Sequence, residues 1–221
     1  MNRYAIIVAA GNGSRMQSGL PKQFLLLQGK PVLYYSLLAF HTHHSATKLI
    51  VVLSKEEQTR WQKLCLDYSI RIPHRIVFGG ATRTESVRNG LDVIDSEGLV
   101  AIHDGARPLV SHEIIENCFV SAQKFGSGIA CVKPKDSIRQ VNGSNNQAID
   151  RDSLRLIQTP QTFQISLIKK AFETCPNEIS TDDASIAEKA GFKVFLTEGS
   201  YLNFKITTPE DLVLAENLIL Y

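Results

Sequence analysis

A chain of 221 residues with 43% hydrophobic content can bury a full core, and its length suits one globular domain, expected over residues 1–221. Basic residues number 24 against 22 acidic ones, a net charge of +2, which argues against a nucleic-acid-binding face or a membrane-seeking patch and leaves only local cations to matter. Cys65, Cys118, Cys131 and Cys175 are irregularly spaced with no Cys-x-x-Cys pair, so they read as buried thiols in a reducing compartment. The apolar run before Gly11 is too short for a signal peptide and no stretch approaches a membrane span, so the expected location is the cytoplasm.

Residues 4–9 read as a buried strand that ends in Ala9-Ala10-Gly11-Asn12-Gly13-Ser14-Arg15-Met16, closed by Pro21-Lys22-Gln23-Phe24. Glycines at a strand end let backbone N–H groups turn inward as a nest for phosphate oxygens, and Arg15 and Lys22 add fixed positive charge. The loop is neither a dinucleotide fingerprint, which needs a third glycine at Met16, nor a P-loop. Taken alone, a solvated glycine turn with two surface cations explains it equally well.

Pro31 can start a helix through Phe40, followed by His41, His43 and His44, which read as solvent-facing residues at a helix end more readily than as a metal site. Residues 49–53 form an apolar strand, and Ser54-Lys55-Glu56-Glu57 has the capping-box pattern for a helix bearing Trp61 and Leu64. A third strand, 75–78, ends in Gly79-Gly80 before a second capping box, Thr82 to Glu85, and a helix with Val87, Leu91 and Ile94 facing the core. The strand 99–103 terminates in His103-Asp104-Gly105-Ala106-Arg107-Pro108; Ser111 caps the next helix, and 128–132 makes a fifth strand.

This alternation predicts an α/β fold, a Rossmann-like and mostly parallel twisted sheet with helices on both faces. Ligands of such sheets bind beyond the carboxyl ends of the strands, where the glycine loop, Gly79-Gly80 and the segment 104–107 should meet, and that convergence favours a functional loop. From Lys133 the pattern breaks. Asn142-Gly143 between short extended runs at 138–141 and 147–151 signals a hairpin in preference to a flexible linker. Residues 159–163 return the chain to the body, with a helix near 167–172, a helix capped at Thr181-Asp182-Asp183, a strand at 193–196 and a last helix opened by Thr208-Pro209-Glu210-Asp211.

Asp104, after a strand and near a phosphate loop, is a candidate Mg²⁺ ligand; a carboxylate satisfied by Arg107 three residues on is the equal alternative. There is no Gly-x-Ser-x-Gly elbow and no histidine or cysteine placed as a nucleophile's partner. A phosphate nest, cations and one carboxylate suit phosphoryl or nucleotidyl transfer, in which positioning and charge stabilisation do most of the catalysis.

The loop with Pro21-Lys22-Gln23-Phe24, the His103 to Pro108 segment, Asp150-Arg151, Gln158-Thr159-Pro160-Gln161, Thr181-Asp182-Asp183-Ala184-Ser185 and the run from Phe204 to Leu212 together resemble the 2-C-methyl-D-erythritol 4-phosphate cytidylyltransferases, in order and over nearly the whole chain. The resemblance implies that CTP and a sugar-alcohol phosphate give 4-diphosphocytidyl-2-C-methyl-D-erythritol and pyrophosphate in the non-mevalonate isoprenoid pathway; Mg²⁺ is the expected cofactor, because the nest and two cations leave much of a triphosphate's charge uncompensated. It further implies that Arg15 and Lys22 hold the triphosphate, and that Ala9, Ala10, Gly11, Gly13, Gly80 and Ser86 bind the nucleotide. Asp104, Arg107, Ser137, Arg151, Thr181 and Lys205 would bind the acceptor, with Arg151 and Lys205 presenting its phosphate. The hairpin, at about 134–156, resembles the family's arm for homodimerisation. Two departures are visible, Gly105 where Ala is frequent and Ser137 where Thr is frequent. The rivals are a ribitol 5-phosphate cytidylyltransferase, disfavoured by Ala9-Ala10 and Thr181 to Ser185, and a nucleotide sensor without catalysis, which leaves Arg151 and Lys205 unexplained.

Overall fold

The computed structural model describes residues 1–11 and 20–219. In chain order the elements are β1 (Arg3–Val8), β2 (Leu26–Leu27), β3 (Lys30–Pro31), α1 (Val32–His43), β4 (Lys48–Leu53), α2 (Glu57–Asp67), β5 (Arg75–Phe78), α3 (Arg83–Asp92), β6 (Leu99–Asp104), α4 (His112–Phe125), β7 (Ser127–Val132), β8 (Ile138–Asn142), β9 (Asn145–Ile149), β10 (Leu156–Gln164), α5 (Ile165–Thr174), α6 (Asp183–Lys189), β11 (Leu196–Glu198) and α7 (Pro209–Ile219). Short 3-10 turns occupy Lys22–Phe24 and Arg151–Ser153.

Seven strands form one sheet in the order β11-β7-β10-β6-β1-β4-β5. Every pairing in it is parallel except those of β10, which runs antiparallel to both β6 and β7. Because successive side chains of a strand point to opposite faces, β1 feeds both layers. Ala5 and Ile7 pack with Leu37 and Phe40 of α1, Trp61 of α2 and Phe119 of α4, while Tyr4 and Ile6 pack with Leu91 of α3, Phe172 of α5 and Ile186 of α6. A smaller cluster of Leu27, Val32, Ile206 and Ala215 seats α7.

Several expectations are corrected in detail. The run 159–163 lies within the nine-residue strand β10; its polar Gln161 and Thr162 are buried, and the register shifts between Ile157 and Gln161 around Pro160, where a strand N–H is missing. The box at Ser54 does not form, because the Glu57 N–H donates to the Ser54 carbonyl at 3.1 Å in a turn and α2 begins only at Glu57. The strand expected at 193–196 starts at Leu196, where pairing to Ile129 begins. His43 does not face solvent: α4 packs across α1, placing Glu116 at 2.9 Å from His43 and the Phe119 ring against it. All four cysteines are free thiols, but Cys65 and Cys175 are half-buried.

The caps at Thr82, Ser111 and Asp182 each accept from the N–H three residues on. At Thr82 the box is not reciprocal, since Glu85 Oε2 takes the Ala81 N–H instead. The hairpin closes tightly at Gly143 (φ +60°) and Ser144, pairing Asn142 with Asn145.

Candidate active site

The parallel strands β1, β5 and β6 end on one edge, and β10, running the other way, begins there. This edge carries a cleft of ≈ 280 Å³ lined by Ala9, Ala10, Gly11, Lys22, Gly80 and Ser86 together with Arg83, Asp104 and Lys205. The expected nucleotide residues within the described chain therefore meet in one place. Arg15 and Gly13 lie outside the described residues.

The cleft wall is built from close backbone approaches. A Cβ on Gly79 would lie 2.7 Å from both Ala10 Cβ and Ser86 Oγ, so only glycine lets α3's first turn reach the β1 loop. Ser86 Oγ then accepts from the Gly80 N–H at 3.2 Å and donates to the Thr82 carbonyl at 2.9 Å. Lys22 is brought to the cleft by a 3-10 turn whose middle residue, buried Gln23, donates to the Ala9 and Gly11 carbonyls at 2.7 and 3.1 Å. Gln23 pins the loop's first residues, a role its sequence position did not reveal.

A second pocket of ≈ 230 Å³ adjoins the first and is lined by Arg107, Thr181, Asp182, Gln158 and Gln161, again with Arg83, Asp104 and Lys205. These last three residues are the shared wall. Lys205 Nζ donates to Asp104 Oδ2 at 2.9 Å, Arg107 Nε stands 3.6 Å from the same oxygen, and Arg83 Nε is 3.5 Å from Oδ1. Burial alone would raise the Asp104 carboxyl, but Arg83, Lys205 and Arg107 outweigh it and hold the group well below the usual carboxylate range.

Of the two readings of Asp104, the geometry shows the ion pair, extended from one cation to three. The carboxylate is thereby kept ionised, and among the described residues no group of three or more His, Cys, Asp or Glu side chains is placed to hold a metal by protein ligands alone. Gly105 also acquires a reason: a Cβ there would meet Leu33 Cδ1 at 2.9 Å, so the missing methyl makes room for α1.

The loop carrying Asp104 and Arg107 is fixed from beneath. The Asp104 N–H donates to Thr159 Oγ1 at 3.0 Å, and Thr159 Oγ1 lies 3.1 Å from His103 Nδ1. His103 Nε2 is 3.1 Å from the Arg107 carbonyl, which can only accept, so Nε2 carries the proton and Nδ1 takes the Thr159 hydroxyl. Fully buried, His103 is kept neutral, its pKa lowered to about 4 by desolvation. Neither His103 nor Thr159 stood out as a positioning group in the sequence.

Ser137 and Arg151 are not brought to this site by their own chain. Both are exposed, Ser137 just before the β8–β9 hairpin and Arg151 just after it, and Arg151 Nη1 donates to the Lys135 carbonyl.

A family model for IspD, 2-C-methyl-D-erythritol 4-phosphate cytidylyltransferase, matches residues 4–220. The chain belongs to this family. A cytidylyltransferase of that name from Bacteroides fragilis is 44% identical over 99% of this chain and 100% of its own length. One from Clostridium acetobutylicum is 43% identical, covering 97% of this chain and 96% of its own. Among solved structures, the 2-C-methyl-D-erythritol 4-phosphate cytidylyltransferase of Thermus thermophilus superposes with a TM-score of 0.84 at 31% identity over the whole of both chains.

Proposed function

We propose that the cleft takes CTP, that the adjoining pocket takes 2-C-methyl-D-erythritol 4-phosphate, and that they react at the wall of Arg83, Asp104 and Lys205. As a member of its family the chain is a nucleotidyltransferase, and the reaction yields 4-diphosphocytidyl-2-C-methyl-D-erythritol and pyrophosphate in isoprenoid precursor biosynthesis. An oxygen of the acceptor's phosphate forms the new bond to the α-phosphorus, and the bond from that phosphorus to the β-phosphate oxygen breaks. The acceptor phosphate is already mostly ionised at neutral pH, so no general base is needed. The observation that carries this reading is Lys205, whose ammonium lies on the wall both pockets share.

In this reading Ala9, Ala10, Gly11, Gly80 and Ser86 hold base and ribose, Gly13 binds the nucleotide with them, and Arg15 and Lys22 take the triphosphate and the charge that develops at the α-phosphorus. Asp104, Arg107 and Thr181 hold the acceptor, and Lys205 presents its phosphate. Mg²⁺ arrives with the triphosphate, whose charge two cations leave uncompensated, and among the described residues Asp104 is the one carboxylate at the wall where it would be received. Ser137 and Arg151 serve the site of a second copy of the chain, reached by the hairpin in a two-fold dimer. Four free thiols suit a reducing cytoplasm, and no described helix is long and apolar enough to cross a membrane.

Pyrophosphate release from CTP with 2-C-methyl-D-erythritol 4-phosphate and with ribitol 5-phosphate, each with Mg²⁺ and with excess chelator, tests this. Release is expected with the first acceptor and to vanish on chelation. Release with ribitol 5-phosphate alone would overturn the substrate, and full activity in chelator would overturn the metal.

A further inference from the structure

Among the described residues the most deeply buried carboxylate, Asp183, stands behind Arg83 of the shared wall. Arg83 is the first residue of α3, and its Nη1 and Nη2 donate to Asp183 Oδ1 and Oδ2 at 3.0 and 2.8 Å. Asp183 is the first residue of α6, and its side chain is completely buried. Arg83 Nε faces Asp104, so all three guanidinium nitrogens are turned to carboxylates. Burial would lower the Arg83 pKa, but Asp183 and Asp104 more than offset it and keep the guanidinium charged.

What the pair joins is informative. The segment leading into α3, Gly80 to Thr82, walls the cleft, and the segment leading into α6, Thr181 and Asp182, walls the adjoining pocket. The same two segments are stitched again by Thr84, whose Oγ1 accepts from the Ser180 N–H at 3.1 Å. Gln161 on β10 completes the anchorage, its Oε1 accepting from the Asp183 and Ala184 N–H groups at 2.9 Å each. A buried ion pair stabilises a fold no better than well-packed apolar residues of the same volume, so stability alone does not account for one here.

We propose that Arg83 and Asp183 are positioning residues, a strut that fixes the distance between the nucleotide wall and the acceptor wall and holds Asp104 at the seam between them. Arg83 lines both pockets, but its three guanidinium nitrogens are turned to carboxylates, and the pair acts by holding those walls. This rests on the assignment of the two pockets given above. A misplacement of about 1 Å between reacting groups commonly costs on the order of 10²-fold in rate.

Arg83→Lys keeps a charge but cannot make two parallel bonds, and Asp183→Asn keeps the shape but loses the charge while leaving the Arg83–Asp104 contact in place. Each is expected to lower kcat by about 10- to 100-fold, with the Kd for CTP, measured without acceptor, within about threefold of wild type. Combined, the two should cost little more than either alone, because they break one pair. Replacing both residues by apolar ones, Arg83→Met with Asp183→Leu, strands no charge between the two positions and should fold yet remain slow.

Wild-type kcat in the double apolar variant, or a loss of CTP affinity as large as the loss of kcat, would overturn the strut. If the apolar variant does not fold, turnover per CTP site in Arg83→Lys decides, a wild-type value again overturning the proposal. The wild-type protein is assayed alongside; if it transfers nothing to 2-C-methyl-D-erythritol 4-phosphate, the reading of the pockets fails and not the strut alone.

Discussion

The cleft and the hairpin carry candidate residues under opposite conditions. In the cleft Asp104 is answered by Arg83, Arg107 and Lys205 within the same chain, and the loop beneath is hydrogen-bonded to buried Thr159 and His103. On the hairpin Val141 is 69% exposed and the cross-strand contacts are polar, such as Gln147 to Gln140 at 2.9 Å. A two-stranded ribbon of this kind is marginal in water by itself. The difference teaches that a residue on the body inherits its geometry from the core, whereas Ser137 and Arg151 must borrow theirs from whatever the hairpin meets.

The largest expected effect falls on the cleft side. Lys22→Ala should lower turnover by about 10² to 10³ with an unchanged melting temperature, because the proposed function sets its ammonium against charge that develops in the transition state. Early melting with normal turnover per folded molecule would make Lys22 structural instead.

The next effect crosses from cleft to arm. Lys22→Ala and Arg151→Ala protomers, each nearly inactive alone, should regain activity when unfolded and refolded together. In a two-fold dimer that shares its arms, a mixed pair holds one site with both lesions and one with neither, so random pairing restores about a quarter of wild-type sites. If Arg151 served its own chain, every site would carry a lesion and no activity would return.

A smaller effect concerns the support beneath the cleft. His103 titrates at about 4 in the folded state against 6.5 when unfolded, so between those values the unfolded chain binds more protons and stability falls as pH falls. The contribution is absent above about pH 7 and reaches about 3 kcal/mol near pH 4. Denaturant unfolding across that range should show this acid sensitivity in the wild type and a shallower slope in His103→Asn. Equal slopes would mean that burial does not hold His103 neutral.

The smallest effect is at the hairpin tip. Gly143→Ala puts a side chain at φ +60°, costing about 1 kcal/mol locally, with open space around it. It should speed proteolytic nicking of residues 138–149 and leave the melting temperature of the body unchanged. A lower melting temperature would show the arm packed on its own chain.

The parallel half of the sheet was legible because β1, β4 and β6 are buried on both faces and read as unbroken apolar runs. β10 was not, since Gln158, Thr159, Gln161 and Thr162 look like a polar loop until their partners are known. The partners of Thr159, Asp104 and His103, come from a strand more than fifty positions earlier, and those of Gln161, Asp183 and Ala184, lie more than twenty positions later. Ala10, Gly11, Asp104 and Lys205, which line the cleft, were singled out because they follow strands or complete a motif. Arg83 was passed over as an interior residue of a capping box, because its partner Asp183 lies 100 positions away. The departure at Gly105 looked like the loss of a methyl and proved to be complementary to Leu33.

Leu156, at the start of β10, pairs with Val132, at the end of β7. The chain therefore leaves the sheet and returns to it on a single rung, and everything at 133–155 is an insertion whose two ends are already neighbours. Topologically the arm is a cassette. It could be lengthened, shortened or replaced by a tight turn without rethreading any strand of the body, as is usual for insertions whose ends lie together at a surface. The strands that carry the cleft are then insulated from changes of length or sequence in the hairpin between Ser137 and Arg151.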